Sequence, residues 1–365
     1  MISVPGIGSG LDINSIVDSL VAAEGDAKTL LLTNQRSDTE FEISAFGALK
    51  SSLSTFSTSL TFLKEETNFQ KNTLTSADTD VFTASSATGS VAPGVFGIEV
   101  RGLAEAHKLL TAGFTDQDTT VGTGTLTIAV GNNSFNVVVD SNNNTLAGIR
   151  TAINDATDNT GVSATIVNVD DGSGGTEVKL ILSADATGTD NAITITVDDD
   201  DANDTDASGL SAFYYDTSDG TSPEQLIQIN AAVDADIYID GQRVLSSSNT
   251  VVDAIDGVTI NLLKADTGNV HNLTVSNDTN TIKSNIQSFV SSYNTLRTFI
   301  NDVTEFDPNT GEAAVLLGDA TTRNLSNQIR TQISDAVTGI SGQFSTLVDI
   351  GITSNSDGTL SIDTD

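Results

Sequence analysis

Few residue types in this 365-residue sequence can do chemistry: 2 histidines, 49 acidic side chains and no cysteine. The missing cysteines exclude disulfides, thiol catalysis and thiolate metal sites. His107 and His271 have no Cys and no Glu-x-x-His spacing nearby. Neither predicts a zinc site or a triad, and hydrogen bonding in a core or at the surface is expected of both. The stretch VDDDDANDTDASG, residues 197–209, offers hard carboxylates suited to calcium. An EF-hand loop needs Gly at its sixth position and Glu at its twelfth, and no register here supplies both. A solvated acidic loop is the expectation. The opening GIGSG follows no strand and leads to no Lys-Ser/Thr pair, so it predicts no phosphate loop. A glycosidase carboxylate pair would want an aromatic sugar platform, yet there is no Trp and there are only 4 Tyr. No enzymatic activity, no metal and no cofactor are expected.

Composition points away from several partners. A formal net charge of −34 repels nucleic-acid phosphates and anionic membrane surfaces. No apolar run reaches membrane-spanning length, so no membrane insertion is expected. Met1 to Gly10 carry no Lys or Arg, unlike the basic start of a secretory signal. This prelude predicts a flexible tail leading into a helix, with Ile13, Ile16, Val17, Leu20 and Val21 at helical spacing and Asp12 or Ser9 as N-cap.

The elements follow from changes in period. Phe46, Leu49, Leu53, Phe56, Leu60 and Leu63 recur in a 3-4-3-4-3 heptad seam. The polar TNQRSDTEFE before them contains no Pro or Gly, so helix can continue through it. From about Asn72 the pattern turns to short strands and turns, with a hairpin at Gly131-Asn132-Asn133. TLAGIRTAINDA predicts a short helix burying Leu146, Ile149 and Ile153. Past Pro223, ADIYIDGQRV predicts a strand and turn, TVVDAIDG a short helix and VTINLLKA a strand. A second heptad seam then runs through Ile282, Ile286, Phe289, Tyr293, Leu296, Ile300 and Val303. A third helix is expected from about Thr321 to Val337, with Leu325, Ile329, Ile333 and Ala336 inward, and a closing hairpin at Asp357-Gly358.

This order predicts an α+β multidomain fold: a coiled-coil-like helical stalk from both chain ends and two β-rich head domains, the outer inserted in the inner. The expected parts are 1–70 (tail and stalk), 71–115 with 233–275 (inner head), 116–232 (acidic outer head) and 276–365 (stalk and hairpin). Between residues 116 and 240 the only Lys or Arg residues are Arg150 and Lys179, which marks the outer part as well solvated. The candidate stalk and oligomer interface is Phe46, Leu49, Leu53, Phe56, Leu60 and Leu63 with Ile286, Phe289, Tyr293, Leu296 and Ile300.

GIGSGLDINSIVDSLVAAE, followed by ISAFGALKSSLSTF, resembles the N-terminus of the flagellar filament cap proteins, the hook-associated protein 2 family. The likeness continues in FGIEVRGLAEAHKLLTAGF, IKSNIQSFVSSYNTLRTFIND and LVDIGITSNSDGTLSID, and NTLAGIRTAINDATDNTGVSATIV resembles a small α/β repeat inserted in flagellin-type proteins. The family continues past the last hairpin into a helix that pairs with the first, so by this resemblance the chain is expected to be C-terminally truncated. The resemblance implies a distal cap, a ring of about five or six identical subunits, under which exported flagellin folds and inserts. It implies flagellin and the flagellar type III export apparatus with its chaperone as partners, an extracellular place at the filament tip, and export without a cleaved signal. The alternatives are an acidic extracellular adhesin, or another flagellar axial protein such as flagellin or a hook-filament junction protein.

Overall fold

The structure is a computed structural model that describes residues 12–86, 91–220, 222–337 and 344–363. The tail expected before Asp12 lies outside them. The chain begins with α1 (Ile13–Lys64), then β1 (Asn72–Ser76), β2 (Phe82–Ser86), β3 (Gly94–Gly102) and β4 (Ala106–Leu110). β5 (Gly124–Val130), β6 (Asn133–Val139), α2 (Leu146–Asp155), β7 (Val162–Asp170), β8 (Thr176–Thr187) and β9 (Ile193–Asp199) follow. Next come β10 (Ile227–Asn230), β11 (Ala235–Ile239), β12 (Gln242–Ser246), β13 (Thr250–Ile255), β14 (Val258–Leu262) and β15 (His271–Asn277). The chain ends with α3 (Thr279–Thr304), β16 (Phe306–Asp307), β17 (Glu312–Ala313), α4 (Ala320–Ser334), β18 (Ile352–Ser354) and β19 (Leu360–Ile362). The fold is α+β. One compact unit joins the two chain ends, up to Phe69 and from Thr279, and a second holds Gln70–Asp278.

The β-rich unit has two cores. In the first, the sheet β1-β15-β3-β11-β12 and the sheet β13-β14-β2 share Phe82, Ile98, Ile237, Ile260 and Leu273. The β11–β12 hairpin turns through Asp240 and Gly241, whose φ angles of 48° and 78° fit a two-residue turn matched to strand twist. In the second core, the sheet β10-β4-β8-β7, the sheet β6-β5-β9 and α2 bury Leu126, Ile128, Leu180 and Leu182 together. Thr145 caps α2 by accepting from Gly148 N at 3.1 Å, and Leu146, Ile149 and Ile153 face inward. Glu105 and Val233 exchange backbone hydrogen bonds of 2.8 and 3.2 Å where the chain enters and leaves this second core.

Three expectations change. TVVDAIDG is not a helix: Thr250–Ile255 is β13, paired with β14 so that Val251 faces Ile260. Its β-branched side chains fit a pleated sheet better than a helix, and Gly257 at φ 72° carries the turn. β4, expected with the inner head, pairs with β8, and Leu109 is buried in the second core. Ala336 lies beyond α4 and is exposed, because Asp335 is extended (φ −72°, ψ 140°) and ends the helix.

Candidate assembly interface

α1 supplies the first wall. It is one helix of 52 residues, so the polar link between the two helical patterns does not break it. At 1.5 Å per residue it is about 78 Å long. Asp12 caps it by accepting from Ser15 N at 3.1 Å. Glu24–Lys28 and Arg36–Glu40 are i,i+4 ion pairs at 3.2 and 2.8 Å, worth a few tenths of a kcal/mol each in the open.

Only the last third of α1 is packed. Leu49 and Phe56 join a buried cluster with Phe289, Val290, Tyr293, Leu296 and Ile300 of α3, and with Ile352 and Leu360 of the closing hairpin. Leu53, Leu60, Leu63 and Ile286 pack on it half-buried, as do Leu325, Ile329 and Ile333 of α4. Phe56 sits 5.8 Å from the Phe289 ring and 5.9 Å from the Tyr293 ring, tilted at 35° and 59°. Such pairs add roughly 0.5–1.5 kcal/mol beyond area burial. The Ser59 and Ser292 hydroxyls lie 2.7 Å apart, so small residues let α1 and α3 approach closely.

Phe46 corrects the seam. It is 39% exposed and outside the cluster, while the preceding Ala45 is only 8% exposed. A strict 3.5-residue seam drifts on a 3.6-residue helix, which leaves Phe46 roughly 60° off the Leu49 direction. Further up α1, Ile16, Val17, Leu20 and Val21 are 44% to 66% exposed, and Leu30, Leu31, Leu32, Phe41 and Ile43 are exposed as well. The side chain of Ile13 lies outside the described residues.

Polar side chains with no period in the sequence lock the hairpin to α3. The Asn294 amide donates to Leu360 O at 2.8 Å and accepts from Leu360 N at 2.7 Å, as a neighbouring strand would. Tyr293 OH donates to Gly358 O at 2.9 Å, and burial pushes the Tyr293 phenol up from its ordinary range. Arg297 donates to Ser326 Oγ of α4 at 2.6 Å and to Asp357 O at 3.3 Å. Beside this cluster Leu60, Leu63, Ile286, Ile329, Ile333 and Leu347 line an apolar cavity of about 720 Å³.

The residues weighed for chemistry make local hydrogen bonds. His107 is buried, its Nδ1 accepts from Ile193 N at 2.8 Å, and burial lowers its pKa. His271 Nε2 is 2.8 Å from Asp266 Oδ2. In the acidic loop, Asp199 is buried and accepts from Ser211 N and Oγ, both at 2.9 Å, while Asp204 accepts from Asp199 N at 2.9 Å. Among the described residues no group of three or more His, Asp or Glu is placed to hold a metal ion, and no helix is long and apolar enough to cross a membrane.

Helices at both chain ends and a β-rich segment between them in sequence agree with the family models that the sequence matches. Residues 9–107 match the flagellar hook-associated protein 2 N-terminus, residues 232–365 its C-terminus, and residues 125–186 the flagellin hook IN motif, which covers β5 to β8. These matches define the class as a flagellar hook-associated protein. The B-type flagellar hook-associated protein 2 of Pseudomonas aeruginosa is 36% identical over 98% of this chain and 75% of its own length. The flagellar hook-associated protein 2 of Escherichia coli K12 is 36% identical over 100% of this chain and 76% of its own. The chain belongs to the flagellar hook-associated protein 2 family. The crystal structure of the D1-D2-D3 domains of the flagellar cap protein FliD from Escherichia coli superimposes with a TM-score of 0.70 at 33% identity, covering 88% of this chain and 85% of that one. That of FliD (HAP2) from Pseudomonas aeruginosa PAO1 gives 0.53 at 34% identity, covering 62% and 98%.

Proposed function

We propose that the protein is the distal cap of the flagellar filament and promotes folding and insertion of exported flagellin at the tip. It acts as a structural assembly factor, not an enzyme. Its partners are further copies of itself in a ring, flagellin, and the export apparatus with its chaperone, and its place is extracellular, at the flagellum tip. Family membership supports the cap. The observation that carries the assembly role is α1, whose first half exposes Ile16, Val17, Leu20 and Val21 along one helix that starts at the Asp12 cap. Such a stripe is covered in the finished cap rather than left to water, by neighbouring subunits together with the helix that the family resemblance adds after the last hairpin. The half-buried Leu53, Leu60, Leu63 and Ile286 give modest area per contact, which suits a leg that holds its neighbours and releases them stepwise.

A deletion strain tests the reading. It is expected to shed flagellin monomers into the medium and lack filaments, and the gene in trans is expected to restore them. Filaments of normal number and length without the protein would refute the cap role. Loss of surface attachment with filaments intact would favour the adhesin instead.

A further inference from the structure

We propose that the corner at residues 187–189, between β8 and β9, is a polar latch that holds the second β core in one orientation on the first, with the crossing segments at Glu105 and Val233 as its hinge. Among the described residues the two cores share no buried apolar side chain, so no common hydrophobic cluster fixes their angle. Parts joined without a large apolar interface ordinarily move relative to one another. The corner supplies the missing restraint. Gly188 N donates to Glu105 O at 3.1 Å, the carbonyl that also accepts from Val233 N at 3.2 Å, so the corner sits against the crossing itself. Thr189 donates from N and Oγ1 to the two carboxylate oxygens of Asp234, at 2.7 and 3.0 Å. Thr187 Oγ1 donates to Ser247 O at 2.7 Å, and Ser247 belongs to the β12–β13 connection of the first core.

Both sides are shaped for this contact. Gly188 has φ 99°, and a Cβ on it would lie 2.5 Å from Ser247 Cβ and 2.6 Å from Ser247 Cα, so only glycine lets the two backbones meet. Asn191 Nδ2 donates to Thr187 O at 2.6 Å and ties the corner from within. On the facing side, Asn249 accepts from Ala104 N at 2.7 Å and donates to Ala104 O at 2.9 Å. That pair anchors the Ser247 loop beside the point where the chain leaves the first core. Thr189 and Ser247 are exposed, so water can replace these hydrogen bonds at small net cost. The latch therefore opens while both apolar clusters stay closed. The second core then turns as a body about Glu105 and Val233, where a few backbone angles absorb the motion.

A distance distribution between two spin labels on the full chain tests this. The sequence has no cysteine, so Ser173→Cys in the β7–β8 connection and Asp256→Cys in the β13–β14 turn, both exposed, carry the labels. The otherwise unchanged chain is expected to give one narrow peak. Thr187→Val combined with Asp234→Ala removes the latch and leaves each core its own buried residues. This double variant is expected to widen the distribution about twofold with the unfolding midpoint unmoved. Gly188→Ala is expected to shift the peak, because the added methyl pushes the corner off Ser247. If Gly188→Ala fails to fold, the double variant decides alone. A double variant as narrow as the parent, or a parent already as wide as the variant, would show that the latch does not set the angle. Widening with a lowered midpoint would make these contacts part of the fold and overturn the latch as well.

Discussion

Leu296→Ala tests whether the helical unit is held by the α1–α3 seam. Leu296 is 1% exposed and lies in the cluster with Leu49, Phe56 and Tyr293. Truncation loses the transfer free energy of the removed methyl and methylene groups and leaves a cavity, and such changes cost about 2–5 kcal/mol. The upper part of that range applies here. Its cluster partners Phe56, Phe289 and Tyr293 are large rings packed on one another, which refill a small vacancy poorly. We therefore expect about 3–4 kcal/mol. With a urea slope of about 2 kcal/mol/M for a small unit, the midpoint falls by about 1.5–2 M. Far-UV ellipticity at the helical minimum reports this unit. Tyrosine emission mostly reports the other, because Tyr214, Tyr215 and Tyr238 lie in it and only Tyr293 does not. The expected result is a shifted helical transition with an unmoved β transition, and no shift beyond about 0.5 kcal/mol for Phe46→Ala. A Leu296→Ala loss below about 1 kcal/mol, or an equal shift in both transitions, would refute the seam as the main support.

Two further outcomes test the β-rich unit. We propose that the second core is a separable insertion. Replacing residues 106–232 by a short Gly-Ser linker, across the paired Glu105 and Val233, is then expected to leave a remainder that unfolds cooperatively, and a broad, non-cooperative melt would show the division to be wrong. His107 is expected to make the second core acid-sensitive: burial holds its folded pKa below the ordinary 6.5, so the unfolded chain binds the extra proton first and stability falls as pH drops below about 6.5 towards the lowered value. A urea midpoint followed from pH 7.5 to 5 should therefore decline more steeply in the wild type than in His107→Gln, and parallel curves would remove His107 as the cause.

How far the sequence could be read depends on the range over which each interaction acts. The heptad seams were legible because a helix repeats its inward direction every few residues, and Leu49, Phe56, Phe289, Tyr293 and Leu296 are buried together. The same rule misplaced Phe46, since an ideal seam ignores the drift of a real helix, and Phe46 stays 39% exposed. TVVDAIDG misled because Val251, Val252 and Ile255 also fit helical spacing, and the strand is decided by its partner β14. The Asn294–Leu360 clamp, 66 residues apart, and the pairing of β4 with β8 leave no periodic trace. The first half of α1 is the opposite case. Its apolar spacing is plain in the sequence, yet Leu20 and Val21 stay 65% and 66% exposed in the folded chain. The described residues of this chain leave that pattern uncovered. On the proposed reading that pattern is covered in the assembled filament cap.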